Sequence, residues 1–211
     1  MRKLNFKKSN KKTLKTLHTF LERFWFSPQD AFLRSAEAAI WSNQKFKSPV
    51  LDIGCGDGSI SKLIFPTQKK IDVGLDSNED GLEKAIESGV YKKVVLADAR
   101  KMSFKEGSFN TVVSNSTFEH IKNDLKAVEE VSRVLRKGGR FLFTIPTIRM
   151  KDVLSESTNK NEFKNFNIRV AHLHYRSLSQ WLRILQKNNL KISNYLYYFP
   201  SQSVRVWYKL F

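Results

Sequence analysis

The sequence predicts an α/β fold: a doubly wound, mostly parallel sheet preceded by two N-terminal helices. Three observations carry this. Short apolar runs alternate with helical patterns from Val50 to Ile145, and a glycine-rich turn at residues 54–58 directly follows the first run. The chain's 211 residues, 41% of them hydrophobic, suffice for one such domain with a proper core and leave little for a second. The predicted organisation is a basic arm and amphipathic helix over 1–26, then the α/β domain over 27–211, with a C-terminus that reads as truncated.

Residues 1–12, MRKLNFKKSNKK, are rich in cations and contain no acid, the composition of a basic arm. Leu14, Leu17, Leu21 and Phe24 then recur at helical spacing. Ser27 followed by Pro28 marks the start of a second helix, with Phe32, Ala36, Ala39 and Ile40 as its apolar positions. Lys47-Ser48-Pro49 ends it. Strands are predicted over 50–53, 71–75, 94–97, 109–114 and 140–145. The helix over 123–136 places Leu125, Val128, Val131 and Leu135 on one face and stops at Gly138-Gly139.

The single cysteine, Cys55, can form no internal disulfide, and no run of 18 or more apolar residues occurs, so a cytoplasmic protein is expected. The formal charge of +17 admits an RNA partner, or an anionic membrane reached through residues 1–26, which would make the protein peripheral to that membrane. Lysines that merely solvate the surface explain the charge equally well.

The loop Gly54-Cys55-Gly56-Asp57-Gly58 lies at the carboxyl end of the first predicted strand, where open α/β sheets bind ligands. Glycine there permits a sharp turn and lets a ligand approach bare backbone. A dinucleotide fingerprint would need its last glycine at position 59, which is Ser59, and a phosphate loop would need a Gly-Lys-Ser/Thr ending that is lacking. What remains is G-x-G-x-G preceded by Asp52, a spacing suited to a ligand with an amino group and a sugar.

These residues resemble the class I S-adenosylmethionine-dependent methyltransferases, in particular the type-11 small-molecule enzymes, over about residues 50–199. The motif h-D-h-G-x-G-x-G is matched by residues 51–58. The resemblance implies S-adenosylmethionine as cofactor, with Asp52 at the methionine amino group and Gly54, Gly56 and Gly58 along the methionine and ribose. It implies Asp76, ending the second strand, at the ribose hydroxyls, Asp98 at the adenine amino group and the Ala99 amide at a ring nitrogen, with Met102 and Phe104 as apolar cover. Asn115, ending the fourth strand, joins the cofactor set. Glu119-His120 resembles the pair found there in many small-molecule methyltransferases and makes His120 the expected base. Some quinone-precursor enzymes extend the pair to E-x-x-E-H and hold a metal, but Ser116 stands where the first acid would be, so no metal is expected.

The N-x-P-P-Y/F motif of amino- and base-methylating enzymes is missing after Asn115. Residues 172–192 resemble the closing "His, aromatic, Ser, helix, strand" segment of the type-11 enzymes, which implies an acceptor lid over 147–170 with His172 and His174 facing the acceptor. Residues 203–211 are expected either to be the family's final antiparallel strand or to begin a further segment. The function implied is methyl transfer to a small, lipid- or sugar-linked acceptor at oxygen. The alternatives are an RNA methyltransferase and a catalytically silent cofactor-binding module.

Overall fold

The computed structural model describes residues 2–3, 11–65 and 70–210. The expected basic arm therefore lies largely outside the described residues. Two helices, α1 (Lys11–Arg23) and α2 (Pro28–Trp41), lead into a five-stranded sheet made of β2 (Val50–Ile53), β3 (Ile71–Asp76), β4 (Tyr91–Leu96), β5 (Phe109–Asn115) and β6 (Leu135–Thr144). The strand order is β4-β3-β2-β5-β6 and every pairing is parallel. Parallel neighbours need crossovers, and α3 (Ser59–Ile64), α4 (Leu82–Glu87) and α5 (Asp124–Val134) supply them. A two-residue pair, β1 (Arg2–Lys3) with β7 (Asn194–Tyr195), stands apart from this sheet.

The period of two along β2 divides the core. Leu51 and Ile53 point into a cluster with Val112, Phe118, Val128, Val131 and Trp181, on the face covered by α5 and α8 (Leu178–Lys187). Val50 joins Phe20, Ala31, Ala38, Trp41, Ile64 and Tyr91 on the opposite face. A third cluster, Val153, Leu154, Phe166, Val204 and Trp207, belongs to α6 (Ile148–Ser157), α7 (Lys160–Val170) and α9 (Ser201–Lys209). The first two of these helices occupy the predicted lid segment.

Four expectations are corrected by the packing. Residues 203–211 do not supply an antiparallel strand: 201–209 are helical, and Val204 and Trp207, three positions apart, both face the third cluster. Leu125 is 44% exposed, because Asp124 takes the inward position and pairs with Arg176. The buried positions of α2 are Ala31, Ser35, Glu37, Ala38 and Trp41; of those expected, Phe32 packs half-buried against the third cluster, while Ala36, Ala39 and Ile40 are partly exposed. On α1, Phe20 is the buried anchor while Leu21 is exposed, and Trp25 and Phe26 beyond the helix are exposed as well. The last strand also starts earlier than predicted, running through Gly138-Gly139, with a register irregularity opposite residues 109–111.

Candidate active site

The carboxyl ends of β2, β3 and β5 meet at one edge, and the glycine loop sits in their centre. Gly54, Gly56 and Gly58 all have positive φ, 79°, 51° and 76°, which side chains rarely adopt. They serve different neighbours. A Cβ on Gly54 would lie 2.2 Å from Thr117 Oγ1, and one on Gly58 would lie 2.7 Å from Ser88 Oγ, so the chain's own side chains exclude larger residues there. Gly56 alone faces open space, with no heavy atom within 4 Å of such a Cβ. Its N–H donates to Asp76 Oδ2 at 2.8 Å, while Asp76 Oδ1 accepts from the Asn78 N–H at 2.9 Å. The loop and the acid ending β3 are thereby locked together beside that open face, an arrangement into which a nucleoside with ribose hydroxyls fits.

Asp52 has a different set of partners from the one implied by the resemblance. It is 1% exposed and its Oδ2 accepts from Tyr91 OH (2.7 Å) and Ser61 Oγ (2.8 Å), behind the loop rather than in the cleft. Period two along β2 dictates this, since Asp52 shares a face with Val50. Burial pushes its carboxyl up to about 6, offset in part by the two hydroxyl donors. Asp98 is held by Arg100 through Nε and Nη2 at 2.6–2.9 Å, and that guanidinium holds its carboxyl below the usual range. Both side chains are 41% exposed, so the pair is weak enough for a ligand to displace. Ala99 and Met102 are buried close behind it.

Asn115 is engaged within the protein. Its Nδ2 donates to Glu37 Oε2 (2.9 Å), and its Oδ1 accepts from Trp41 Nε1 (2.7 Å) and Thr144 Oγ1 (2.9 Å). Glu37, fully buried, is the hub of this region: it also accepts from Arg34 Nη1 (2.7 Å), Ser116 Oγ (2.9 Å) and Tyr198 OH (3.2 Å). Ser116 has φ 49°, a non-glycine residue in the left-handed region, held there by its contacts to Glu37, Arg34 and Thr144. Arg34, Glu37 and Tyr198 escaped the sequence reading.

Glu119 and His120 occupy a short 3₁₀ turn, Phe118–His120, immediately beyond Thr117. His120 Nδ1 lies 3.0 Å from the Ala171 carbonyl, which can only accept, so Nδ1 carries the proton and Nε2 presents its lone pair. Nε2 stands 4.0 Å from Glu119 Oε1. Glu119 is buried, and burial pushes its carboxyl up to about 8; desolvation lowers His120. The segment after α7 folds over this turn: the Leu173 N–H donates to the Glu119 carbonyl (2.8 Å), His174 Nε2 donates to the Ile121 carbonyl (2.9 Å), and Arg176 pairs with buried Asp124. His172 is brought to the pair, and Glu119, His120 and His172 each offer one ligand atom within 4.8 Å of the others. His174 is turned away to Ile121. No metal was expected from the sequence because Ser116 replaces an acid; His172, some fifty residues further on, lay outside that spacing rule.

Comparison with known proteins agrees with this geometry. Residues 51–143 match the methyltransferase domain family. A sterol 4-C-methyltransferase of Caenorhabditis elegans is 31% identical over 130 residues, 59% of this chain and 37% of the relative. An uncharacterized methyltransferase of Bacillus subtilis is 30% identical over 147 residues, covering 67% of this chain and 56% of the relative. A Thermotoga maritima structure described as a S-adenosylmethionine-dependent methyltransferase and possible histamine N-methyltransferase superposes with TM-score 0.59 at 21% identity, covering 82% of this chain and 80% of the other, which shows the fold. The chain spans about half the length of the curated relatives it matches. With the glycine loop, the acid ending β3 and the matched family all on the same strand ends, this chain carries a methyltransferase domain of the class I kind, whose cofactor is S-adenosylmethionine.

Proposed function

We propose that this chain methylates a small, lipid- or sugar-linked acceptor at an oxygen, with His120 holding the acceptor's proton. The observation that carries the proposal is the His120 imidazole, fixed by the Ala171 carbonyl so that Nε2 is bare, on a turn that directly follows Thr117, the residue packed against Gly54 of the glycine loop. S-adenosylmethionine supplies a sulfonium methyl, an electrophile that needs no further activation. Gly56 with its open face, Asp76 toward the ribose, and Asp98 with the Ala99 amide toward the adenine would hold it. What is left to the chain is to place the acceptor and accept the hydroxyl proton, and a neutral imidazole can do so. A lipid-like acceptor is supported by the sterol named in one relative.

The test is methyl transfer from labelled S-adenosylmethionine into lipid, small-metabolite and RNA fractions of a cell extract. Label is expected in the lipid or metabolite fraction. His120→Gln is expected to lower turnover by roughly 10²–10⁴-fold with cofactor affinity unchanged. Label confined to RNA would replace the proposal by the RNA reading, and turnover within a few-fold of the parent would remove His120 as base.

A further inference from the structure

We infer that Glu119, His120 and His172 form a binding site for one divalent transition-metal ion of the zinc type. The proposal stands on where the hydrogen atoms of this cluster must be. His120 Nδ1 donates to the Ala171 carbonyl, which leaves Nε2 bare. For His172 the same conclusion follows through three links. Asn167 Nδ2 donates to the Phe163 carbonyl (2.8 Å), so its Oδ1 is the acceptor. Tyr175 OH donates to that Oδ1 at 2.7 Å and has thereby spent its hydrogen. The 2.9 Å contact between His172 Nδ1 and Tyr175 OH is then a donation from the ring, and His172 Nε2 is bare as well.

Two imidazoles thus have their outer nitrogens tied to oxygen acceptors and their inner nitrogens unprotonated, the state in which metal-binding histidines are held. The third ligand supplies an independent observation. Glu119 Oε2 is buried and has no hydrogen-bond partner, although its side chain is only 2% exposed. A buried carboxyl oxygen without a partner is unfavourable, and a cation that displaces the carboxyl's proton would satisfy it.

Two nitrogens and a carboxylate oxygen select a borderline ion such as Zn²⁺, Co²⁺ or Fe²⁺ over Ca²⁺ or Mg²⁺, which prefer all-oxygen shells. Bonds of about 2.0–2.2 Å place tetrahedral ligands about 3.3–3.5 Å apart, so the cluster, now spanning up to 4.8 Å, must contract. Arg34, whose charge acts on both imidazoles, is paired with Glu37 at 2.7 Å, which reduces its repulsion of an ion. The site bears on the proposed function in one respect: with an ion bound, His120 Nε2 is a ligand and no longer a free base, and the ion, taking the acceptor oxygen as its next ligand, would lower that hydroxyl's pKa in its place, the proton leaving to solvent. Its occupancy does not depend on that reaction.

The chain has four histidines, and His174, donating to Ile121, is the control outside the cluster. Untagged, chelator-treated full-length protein is titrated with Co²⁺ alone, without cofactor or acceptor, and followed by calorimetry and visible absorption. Saturable uptake of a single ion with d–d bands, displaced by Zn²⁺, is expected. His172→Gln and Glu119→Gln should each weaken it by at least ~10–100-fold, the loss that follows removal of an outer-shell partner alone, and His174→Gln should leave it unchanged. If either ligand variant fails to fold, Tyr175→Phe keeps all three ligands, removes the acceptor of His172 Nδ1 together with the donor to Asn167 Oδ1, and should weaken binding by ~10-fold. No saturable uptake by the parent, uptake undiminished in the folded variants, or equal loss in His174→Gln would overturn the site. Because the readout involves no methyl transfer, its failure would leave the proposed reaction standing, and failure of the reaction would leave the site standing.

Discussion

The two sides of the cleft are built differently. On the cofactor side, each polar feature lies within a few residues of a strand end: Asp76 accepts from Gly56 and from Asn78, and Asp98 pairs with Arg100 two positions on. On the acceptor side, the groups come from α2, from the end of β5, from the segment after α7 and from Tyr198. The Glu37 partners Asn115 and Tyr198 are 78 and 161 residues away in sequence. The groups proposed to hold the cofactor are fixed by local geometry, whereas those proposed to face the acceptor are brought together by contacts distant in sequence. The contacts with most to lose in stability therefore lie on the proposed acceptor side.

The sharpest way to break this contrast is Glu37→Ala. It leaves the Arg34 guanidinium, only 21% exposed, without its counter-ion and strips Asn115, Ser116 and Tyr198 of an acceptor. Urea unfolding is expected to show a loss of roughly 3–5 kcal/mol. Asp98→Ala, which removes an exposed pair on the cofactor side, should cost less than about 1 kcal/mol. Similar losses for the two variants would dissolve the distinction.

What was legible in the sequence follows the same line. The parallel sheet, the glycine loop and Asp76 could be read because a strand's period and a turn's glycines are local. The hub at Glu37 could not, since an acid on α2 reads as surface until Asn115 and Tyr198 close over it. Asp52 shows the limit within a motif: its spacing was legible, while Ser61 and Tyr91, which no motif spacing names, donate to its Oδ2. The last helix, α9, was missed because Val204, Val206 and Tyr208 alternate as in a strand, while the contact that decides the matter is Val204 and Trp207 packing against Val153, Leu154 and Phe166.

Asp52 gives a prediction of intermediate size. Its folded carboxyl titrates at about 6 against an ordinary 3.8, so the folded state binds the proton more tightly than the unfolded state does. Stability is therefore fully present at low pH and is lost as pH rises through this window. The parent should lose ~3 kcal/mol relative to Asp52→Asn between about pH 4 and 7. Denaturation midpoints of the two proteins, followed across that range without cofactor, should diverge; parallel curves would mean that the buried carboxyl carries no such cost.

The central claim, that S-adenosylmethionine sits against the open face of Gly56 with its ribose on Asp76, is tested most directly by calorimetric titration of the parent and of Asp76→Ala with the cofactor. The account predicts saturable binding by the parent and a loss of about 1.5–3 kcal/mol in the variant, roughly 10–100-fold in Kd, because a charged acceptor for two hydroxyls is removed. Equal affinity in the two proteins would take Asp76 out of the site, and no binding by the parent would contradict the account altogether.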